Sequence, residues 1–295
     1  MTISSVKIAP STRLCEVANM AEYLGFKEVC LNGDELAEFY QHRDVNSLNC
    51  LENEYVIITG DSSDNILDYA KWDGSKYVRI PFKTTNSKLV GKIKPRNPQQ
   101  HFALDLLYDD ERTIKMLGGK FGTGKTFLMC AAACDLLEKG VFDKIVYVRN
   151  NIEVAHSKPI GHLPGSYNDK LMPFARPLAD HLGGRDALLH LIDRDTIELQ
   201  HLGDIRGRDI KNSIIMCSEV ENMTKEHIQL LIGRVGEGSA LWLDGDLKQV
   251  DASVFKENSG MRLTIERLAG HHRFGYIKLL KTERSETAAM ADLLD

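Results

Sequence analysis

The sequence predicts an α/β fold in which helices cover both faces of a parallel sheet, preceded by a small α+β module. Three observations indicate this fold. A phosphate-binding loop of the pattern G-x-x-x-x-G-K-[ST] runs from Gly119 to Thr126, between an apolar run and a helical stretch. From residue 99 onward, strand-like apolar runs alternate with helical stretches. Polar residues follow these runs where the strands would end, at the edge where parallel sheets bind ligands.

Size and composition suit a globular protein of one large or two smaller domains, since the chain has 295 residues. A formal net charge of −5 provides no basic field, so nucleic-acid binding would need a local patch. No apolar run approaches the ~18 residues of a membrane span, and the N-terminus lacks a signal peptide's apolar stretch. Six cysteines without a C-x-x-C pair indicate buried thiols of a reducing compartment. We expect a cytoplasmic protein without membrane contact.

Residues 1–92 are predicted to form the α+β module, for which the sequence indicates no function. Spacing typical of a helix extends from Leu14 to Tyr40, and residues 55–59 and 76–80 are predicted as short strands. The segment Gly91 to Pro98 contains two prolines, a glycine and three positive charges, which is typical of a linker. A second domain is therefore predicted over residues 93–295.

The second domain alternates between the two element types. We predict strands at 114–117, 144–149, 213–218, 240–244 and 276–280, and helices near 98–109, 124–138, 169–182, 224–234 and 259–269. Polar groups follow four of these strands: the phosphate loop, Arg149-Asn150-Asn151, Ser218-Glu219 and Asp244-Gly245-Asp246. Their convergence on one sheet edge favours a nucleotide site.

The phosphate loop supplies the residues predicted to bind the nucleotide: Gly119, Lys120, Phe121, Gly122, Thr123, Gly124, Lys125 and Thr126. Loop N–H groups and the positive end of the following helix dipole face the phosphates. Lys125 is expected to reach the β- and γ-phosphates, and the Thr126 hydroxyl is expected to bind Mg²⁺.

Seven collinear segments over residues 92–295 resemble the ATPase domain of PhoH-like proteins, which are phosphate-starvation-inducible-type P-loop ATPases. They are KIKPRNPQQHFALDLL, GKFGTGKT, IGHLPGSYNDKLMPFARPLADHL, IRGRDIKNSII, NMTKEHIQLLIGRVGEG, GDLKQVD and TERSETAAMADLL. The later motifs resemble phage-associated members, which implies the cytosol of a bacterium or of a phage-infected host. The resemblance to this relative of the superfamily 1 helicase motor implies a RecA-like fold, ATP and Mg²⁺ as cofactors, and RNA or single-stranded nucleic acid as a partner. Residues 1–92 would correspond to the family's variable part.

The resemblance also implies roles for single residues. Gln100 matches the glutamine that reads the adenine edge; alternatively, it only belongs to a helix start after Asn97-Pro98. Glu219 matches the acid that polarises the attacking water. Gln249 matches the sensor of the γ-phosphate. Arg284 matches an arginine that faces the phosphates, or it forms an exposed ion pair with a neighbouring glutamate.

The chain departs from the family where most relatives have Asp-Glu after the Walker B strand, because Ser218 replaces the aspartate. A hydroxyl is a weaker partner for Mg²⁺ than a carboxylate. Asp244 stands where most relatives have threonine, on a strand expected between the loop strand and the Walker B strand. We expect Asp244 within one strand spacing, ~4.8 Å, of Ser218, where it could supply the missing carboxylate. The alternative is that Asp244 caps a turn and hydrolysis is weak.

The segment from Asn150 to Gly165 is long and polar, and it follows a strand at the predicted catalytic edge. Its basic and histidine residues could contact a phosphate backbone, or the segment is a solvated loop. The residues in question are His156, Lys158 and His162, with Lys170 nearby.

Three arginines, Arg206, Arg208 and Arg234, are candidates for insertion into a neighbouring subunit's site. One motor domain offers one of the two surfaces that helicase action requires, so we expect a homo-oligomer, possibly a hexameric ring. The alternative is that Arg206 and Arg208 pair with Asp204 and Asp209 in the same chain.

Three functions remain open at this level. The first is an ATPase that acts on RNA or single-stranded nucleic acid. The second is a nucleotide-sensing protein with little hydrolysis, which Ser218 favours. The third is a small-molecule kinase, which the order of Glu219 and Gln249 disfavours.

Overall fold

The computed structural model describes residues 22–60, 63–149, 170–250 and 253–283. The first part consists of β1 (Phe26–Leu31), α1 (Gly33–Gln41), β2 (Tyr55–Gly60), β3 (Ser63–Trp72) and β4 (Tyr77–Arg79). Its four strands form one sheet in the order β1-β2-β3-β4, with β1 and β2 parallel and the other pairs antiparallel. The prediction of a small α+β module is confirmed.

The helix predicted from Leu14 to Tyr40 is wrong over β1, because these residues pair with β2 and bury both strand ends. Helix α1 begins only after Asn32, whose side chain accepts the backbone N–H groups of Asp34 and Glu35. The Glu35 carboxylate accepts the N–H of Asn32 at 3.0 Å, completing a capping box. The Asn-x-x-Glu spacing in the sequence marks this boundary.

A short hairpin connects the module to the rest of the chain. It is formed by β5 (Thr85–Ser87) and β6 (Gly91–Ile93), which are antiparallel. The predicted linker therefore begins with a strand, and the predicted boundary between residues 92 and 93 falls inside it. The Lys88 N–H donates to the Glu138 carboxylate at 2.8 Å, which ties the hairpin to helix α3 (Lys125–Glu138).

The main sheet has six parallel strands in the order β12-β7-β11-β10-β8-β9. They are β7 (Ile114–Gly119), β8 (Lys144–Arg149), β9 (Ile197–His201), β10 (Ser213–Cys217), β11 (Ala240–Gly245) and β12 (Phe274–Leu279). The other helices are α2 (Pro98–Leu107), α4 (Arg176–His181), α5 (Arg185–Asp193), α6 (Lys225–Ile232), α7 (Ser253–Glu257) and α8 (Gly260–Leu268). The α/β, RecA-like prediction is confirmed, and β11 lies between β7 and β10 as expected.

Most predicted boundaries in this part agree with the structure to within two residues. Four elements differ. The sequence does not predict helices α5 and α7 or strand β9. Strand β9 is an edge strand with only Ile197 and Leu199 buried, and it lacks a continuous apolar run. The helix predicted for 169–182 contains a 3₁₀ turn, Met172–Ala175, before α4.

Successive strand residues pack into two separate cores, one on each face of the sheet. Leu117 and Trp242 face the core that contains α2 and α3, whereas Met116 and Leu241 face the core that contains α6 and α8. This alternation buries both faces and leaves the carboxyl ends of the strands to form the site.

Among the described residues, none of the helices combines the length and apolar character needed to cross a membrane. Four thiols, those of Cys50, Cys130, Cys134 and Cys217, are buried, but Cys30 is exposed.

A buried ion cluster, which consists of Lys71, Lys83, Asp105 and Asp109, joins the module to α2. The Lys71 ammonium lies 3.0 Å from a carboxylate oxygen of Asp105 and 3.0 Å from one of Asp109. Lys83 contacts the other Asp105 oxygen at 3.1 Å, and the Tyr55 hydroxyl donates to Asp105 at 2.9 Å. The Tyr55 ring also stacks on Phe102 of α2. The module and the main sheet therefore share one hydrophobic core.

The module also contacts the outer edge of the main sheet at β12. The Lys278 N–H donates to the Leu24 carbonyl at 2.9 Å, and the Asn53 amide donates to the Phe274 carbonyl at 3.0 Å. Gly25 sits between these contacts with a φ of +81°. A Cβ there would come within 1.7 Å of the Tyr276 carbonyl oxygen, so only glycine fits.

Candidate active site

The phosphate loop connects the end of β7 to the start of α3, as the sequence predicts. Gly119, Gly122 and Gly124 all have positive φ values, which glycine adopts without strain. The Lys125 ammonium donates to the carbonyl oxygens of Gly119 at 2.6 Å and Lys120 at 2.9 Å. Gly124 provides no side chain to cap α3, so the first N–H groups of this helix are available to an anion.

Three oxygen-bearing side chains from three elements meet beside Lys125. The Thr126 hydroxyl donates to Asp244 Oδ2 at 3.0 Å, and the Ser218 hydroxyl donates to the same oxygen at 3.1 Å. Asp244 is 3% exposed, and burial raises the pKa of its carboxyl although Lys125 and both hydroxyls oppose this rise. The predicted proximity of Asp244 to Ser218 is therefore observed. One carboxylate with two hydroxyls suits Mg²⁺, which in nucleotide sites takes few protein ligands and binds phosphate oxygens and water.

Glu219 follows β10 and lines the same cleft. Its backbone has a φ of +59°, uncommon for a residue with a side chain, and its N–H bonds the Asp244 carboxylate. Its side chain is 55% exposed, and one carboxylate oxygen lies 2.9 Å from Nη2 of Arg149 at the end of β8. The sequence does not indicate this ion pair, because the two residues are 70 positions apart.

Gln249, the predicted sensor, is exposed and lines the cleft, and its backbone N–H donates to the Asp246 carbonyl at 2.9 Å. Asp246 is buried, and its Oδ2 has no hydrogen-bond partner in the described part of the chain. Sequence reasoning missed Glu221, a buried residue whose carboxylate accepts the Asp246 N–H at 3.1 Å. Glu221 thus ties the segment after β10 to the loop that carries Gln249. Its only sequence signal is a second acid two residues after Glu219.

The buried carboxyl of Glu221 should make the free energy of unfolding depend on pH. Burial raises the pKa of its carboxyl to about 7, and Asp244 and Glu219 add to this rise. Because the pKa is ~4.3 when unfolded, the neutral carboxyl stabilises the fold at low pH, and this contribution disappears as the pH rises through 7. Glu221→Gln keeps a neutral oxygen acceptor, so its stability relative to the native chain should increase between pH 5 and 8. The expected gain is on the order of 3 kcal/mol.

Urea titrations of both proteins at several pH values, without nucleotide or Mg²⁺, measure this difference. Parallel stability profiles for the two proteins would contradict the assignment, since the glutamine cannot titrate.

The cleft around these groups has a volume of about 840 Å³ and extends along α3 toward the hairpin and α4. The Gln100 side chain lies there, but both ends of its amide have partners: Nε2 donates to the Thr123 carbonyl at 3.2 Å, and Oε1 accepts the Arg96 N–H at 3.0 Å. Helix α2 also starts as the alternative proposes, with Asn97 as N-cap and Pro98 in the first turn. The two explanations of Gln100 are compatible, and the adenine contact stays a prediction.

Two aromatic residues in the cleft were not predicted. The Phe127 and His181 rings meet edge to face with centroids 5.4 Å apart, and both residues line the cleft together with Ile93 and Pro95. Burial lowers the pKa of His181, which favours its neutral form. Such a surface suits a nucleobase, and its residues lie on three separate segments, so no local pattern identifies it.

The segment after β12 covers the phosphate loop. The Glu283 N–H donates to the Gly122 carbonyl at 3.0 Å, and its carboxylate accepts the Asn97 amide at 2.8 Å. Arg284 lies outside the described residues, as do His156, Lys158 and His162. Lys170, the first residue described after them, begins a short helical stretch.

The three candidate inter-subunit arginines lie beyond the described lining of the cleft. Arg208 forms a two-point ion pair with Glu198, at 2.5 and 3.2 Å, and Arg234 donates to the Arg208 carbonyl at 3.1 Å. Arg206 is exposed.

Comparisons with known proteins agree with this geometry. The family model described as PhoH-like protein matches residues 92–292. The chain is 33% identical over 298 residues to Protein PhoH2 of Bacillus subtilis (strain 168), covering 94% of this chain and 66% of that protein. It is 31% identical over 180 residues to a PhoH-like protein of the same organism, covering 60% of this chain and 56% of that one. The chain thus spans about two thirds or less of the length of these relatives, and the first alignment extends into the residues before 92.

Among solved structures, the crystal structure of Pif1 helicase from Candida albicans is similar with a TM-score of 0.36 and 18% identity. The similarity covers 68% of this chain and 44% of that one. The family match covers most of the chain and includes the phosphate loop and the strand-end carboxylates. The chain is therefore a P-loop NTPase that belongs to the PhoH-like protein family.

Proposed function

We propose that the chain binds ATP and hydrolyses it to ADP and phosphate with Mg²⁺, and that hydrolysis is coupled to RNA or single-stranded nucleic acid. The observation that carries the hydrolytic part is the meeting of Thr126, Ser218 and Asp244 at one point beside Lys125. Burial still disfavours the charged form of Asp244 despite Lys125 and the two hydroxyls, and a metal bound to its carboxylate would offset this desolvation.

Each residue has a defined task in this proposal. The Lys125 ammonium leaves the loop carbonyls to which it is bonded and binds the β- and γ-phosphate oxygens. Thr126 and Asp244 would hold the cation, with Ser218 as a neutral third group. Mg²⁺, when bound, neutralises the charge on the phosphate oxygens. Glu219 orients the attacking water and accepts its proton, and Gln249 and Arg284 contact the γ-phosphate.

The nucleobase would lie at the other end of the cleft. Its adenine edge would meet the remaining N–H and lone pair of the Gln100 amide, since each amide offers two donors and two acceptor sites. Phe127 and His181 would contact the ring faces.

The coupling to nucleic acid and to a homo-oligomer, with a hexameric ring as one form, rests on the family resemblance. Arg206 is the best placed of the three candidates to reach a neighbour, because it is exposed, whereas Arg208 pairs with Glu198 within the chain. The cytosolic location stays a prediction, and so does the division of the chain at residue 92.

A nucleotide sensor with little hydrolysis is the second candidate, and Ser218 favours it because this position offers Mg²⁺ no charge. A small-molecule kinase is less consistent with Glu219 and Gln249 at the phosphate end of the cleft, since a kinase must keep water from that position.

Steady-state ATP hydrolysis with and without Mg²⁺ and single-stranded RNA or DNA tests the proposal, with Lys125→Ala as the inactive control. We expect Mg²⁺-dependent turnover that one polymer stimulates and that Lys125→Ala reduces at least ~100-fold, by removing ~2.7 kcal/mol of transition-state stabilisation. Tight ATP binding without turnover under any condition would favour the sensor. Turnover that needs a small-molecule acceptor would favour the kinase.

A further inference from the structure

The inference concerns Arg149, the last residue of β8. Its side chain is 13% exposed, and its Nη2 lies 2.9 Å from a carboxylate oxygen of Glu219. The rest of its guanidinium is poorly satisfied: Nε and Nη1 are buried and have no hydrogen-bond partner among the described residues. Buried donors without a partner raise the free energy of the state in which they occur. The ion pair with Arg149 is therefore one position of the Glu219 carboxylate, and a second position of this carboxylate can compete with it.

The order of the strands shows on which side of β10 this ion pair holds the Glu219 carboxylate. Glu219 follows β10, and β8 lies on one side of β10 while β11 and β7 lie on the other. The phosphate loop follows β7, and Asp244 is on β11. Adjacent strands are ~4.8 Å apart, so Arg149 holds the Glu219 carboxylate toward the side of β10 that is remote from the phosphates.

Hydrogen bonds hold the backbone of Glu219 in place. Its N–H is bonded to the Asp244 carboxylate, and the turn that follows is closed by the Asn222 N–H, which donates to the Glu219 carbonyl at 3.2 Å. A change of side-chain rotamer is therefore enough to move the carboxylate, without any movement of the strand.

We propose that Arg149 restrains Glu219 in a resting position, so that Glu219 must leave this ion pair to activate water. This inference rests on the proposed ATPase function. Arg149 acts through Glu219 and is a positioning residue: it keeps basal hydrolysis slow and makes release of the carboxylate a step that can be controlled.

Hydrolysis by Arg149→Ala, with Mg²⁺ and without nucleic acid, tests the restraint. We expect kcat to rise about fivefold, which corresponds to ~1 kcal/mol, with KM for ATP unchanged because Arg149 is not among the described residues that line the cleft. Arg149→Lys, which can still form a single-point ion pair, should have an intermediate kcat. Adding Glu219→Gln should abolish turnover in either background.

Lys144→Ala is the matched control, since it removes an ion pair from the opposite end of the same strand, 2.7 Å from Asp195. It should leave kcat unchanged, and melting temperatures identify variants that are unfolded. A kcat of Arg149→Ala at or below the native value, in a folded protein with native KM, would overturn the restraint while leaving the ATPase proposal intact. If neither the native chain nor Arg149→Ala exceeds Lys125→Ala, both proposals fail. Turnover that appears only in Arg149→Ala supports both.

Discussion

Asp244→Asn is expected to reduce Mg²⁺-dependent ATP turnover at least ~100-fold, which corresponds to ~2.7 kcal/mol of transition-state stabilisation. The amide keeps the size of the carboxylate but carries no charge, and hard divalent cations bind charged oxygen much more strongly. Because Ser218 has no charge, the variant would contain no carboxylate among the three groups that meet at this point. Nucleotide binding without metal should remain within a few-fold of the native value, since Lys125 and the loop N–H groups are unchanged.

A charge relocation makes this prediction specific. Ser218→Asp combined with Asp244→Thr moves the carboxylate to the Walker B strand and places a threonine on β11, the arrangement that the family resemblance implies. If the chain has moved its metal-binding carboxylate from one strand to the next, the double variant should recover much of the turnover that Asp244→Asn loses. Ser218→Asp alone should be poorly stable, because it places two carboxylates within hydrogen-bonding distance in a buried site.

Turnover at several Mg²⁺ concentrations, together with nucleotide affinity in EDTA, measures both effects. Near-native turnover in Asp244→Asn would eliminate the relocated carboxylate. Failure of a folded double variant to exceed Asp244→Asn would mean that the two positions are not interchangeable.

Asp105→Asn should cost about 3 kcal/mol of unfolding free energy, the usual scale for breaking a buried ion pair by removing one partner. Asp105 is nearly inaccessible and accepts from Lys71, Lys83 and Tyr55, so the amide leaves two ammonium groups short of charge compensation. The module and the main sheet share a core, so they should still unfold in one transition at a lower urea concentration. Asp209→Asn, which breaks an exposed pair with Lys211, is the control and should change stability by less than ~0.5 kcal/mol.

Asp105→Asn should also change how the free energy of unfolding depends on pH in acid. Burial alone would raise the pKa of Asp105, but the ammonium groups of Lys71 and then Lys83 outweigh it and hold the pKa below its usual range. A carboxyl with a lowered pKa stabilises the fold above its unfolded pKa of ~3.9, and this contribution disappears as the pH falls through the folded value. The native chain should therefore lose stability below pH 4 more steeply than Asp105→Asn. Equal slopes, or two separate unfolding transitions, would contradict the role of the cluster.

The sequence predicts those features of the fold and of the site that depend on residues close together in the chain. The phosphate loop, the strand ends and the order of β7, β11 and β10 were predictable, because each follows from a continuous pattern or from the family resemblance. The position of Asp244 beside Ser218 followed from that order. The metal-binding and catalytic roles of these residues stay predictions.

The contacts that sequence reasoning missed join distant segments. Arg149 and Glu219 are on neighbouring strands, the Phe127 and His181 rings meet across two helices, and Glu221 binds a backbone N–H after another strand. Their partners are set by packing, which no periodicity in the chain encodes. The helix predicted over β1 is wrong for the same reason, since the pairing of β1 with β2 overrides local preference.

The shared core and the buried ion cluster between the module and α2 also constrain how the two halves of the chain can change during evolution. A substitution at Asp105 or Lys71 lowers stability unless a change across the interface compensates for it, so the two halves of the chain should evolve as a correlated pair. Recombination that exchanges one half for that of a distant relative would bring together unmatched charges and aromatic surfaces. Chimaeras joined within β6 should therefore fold only when both parents carry compatible residues at Tyr55, Lys71 and Asp105.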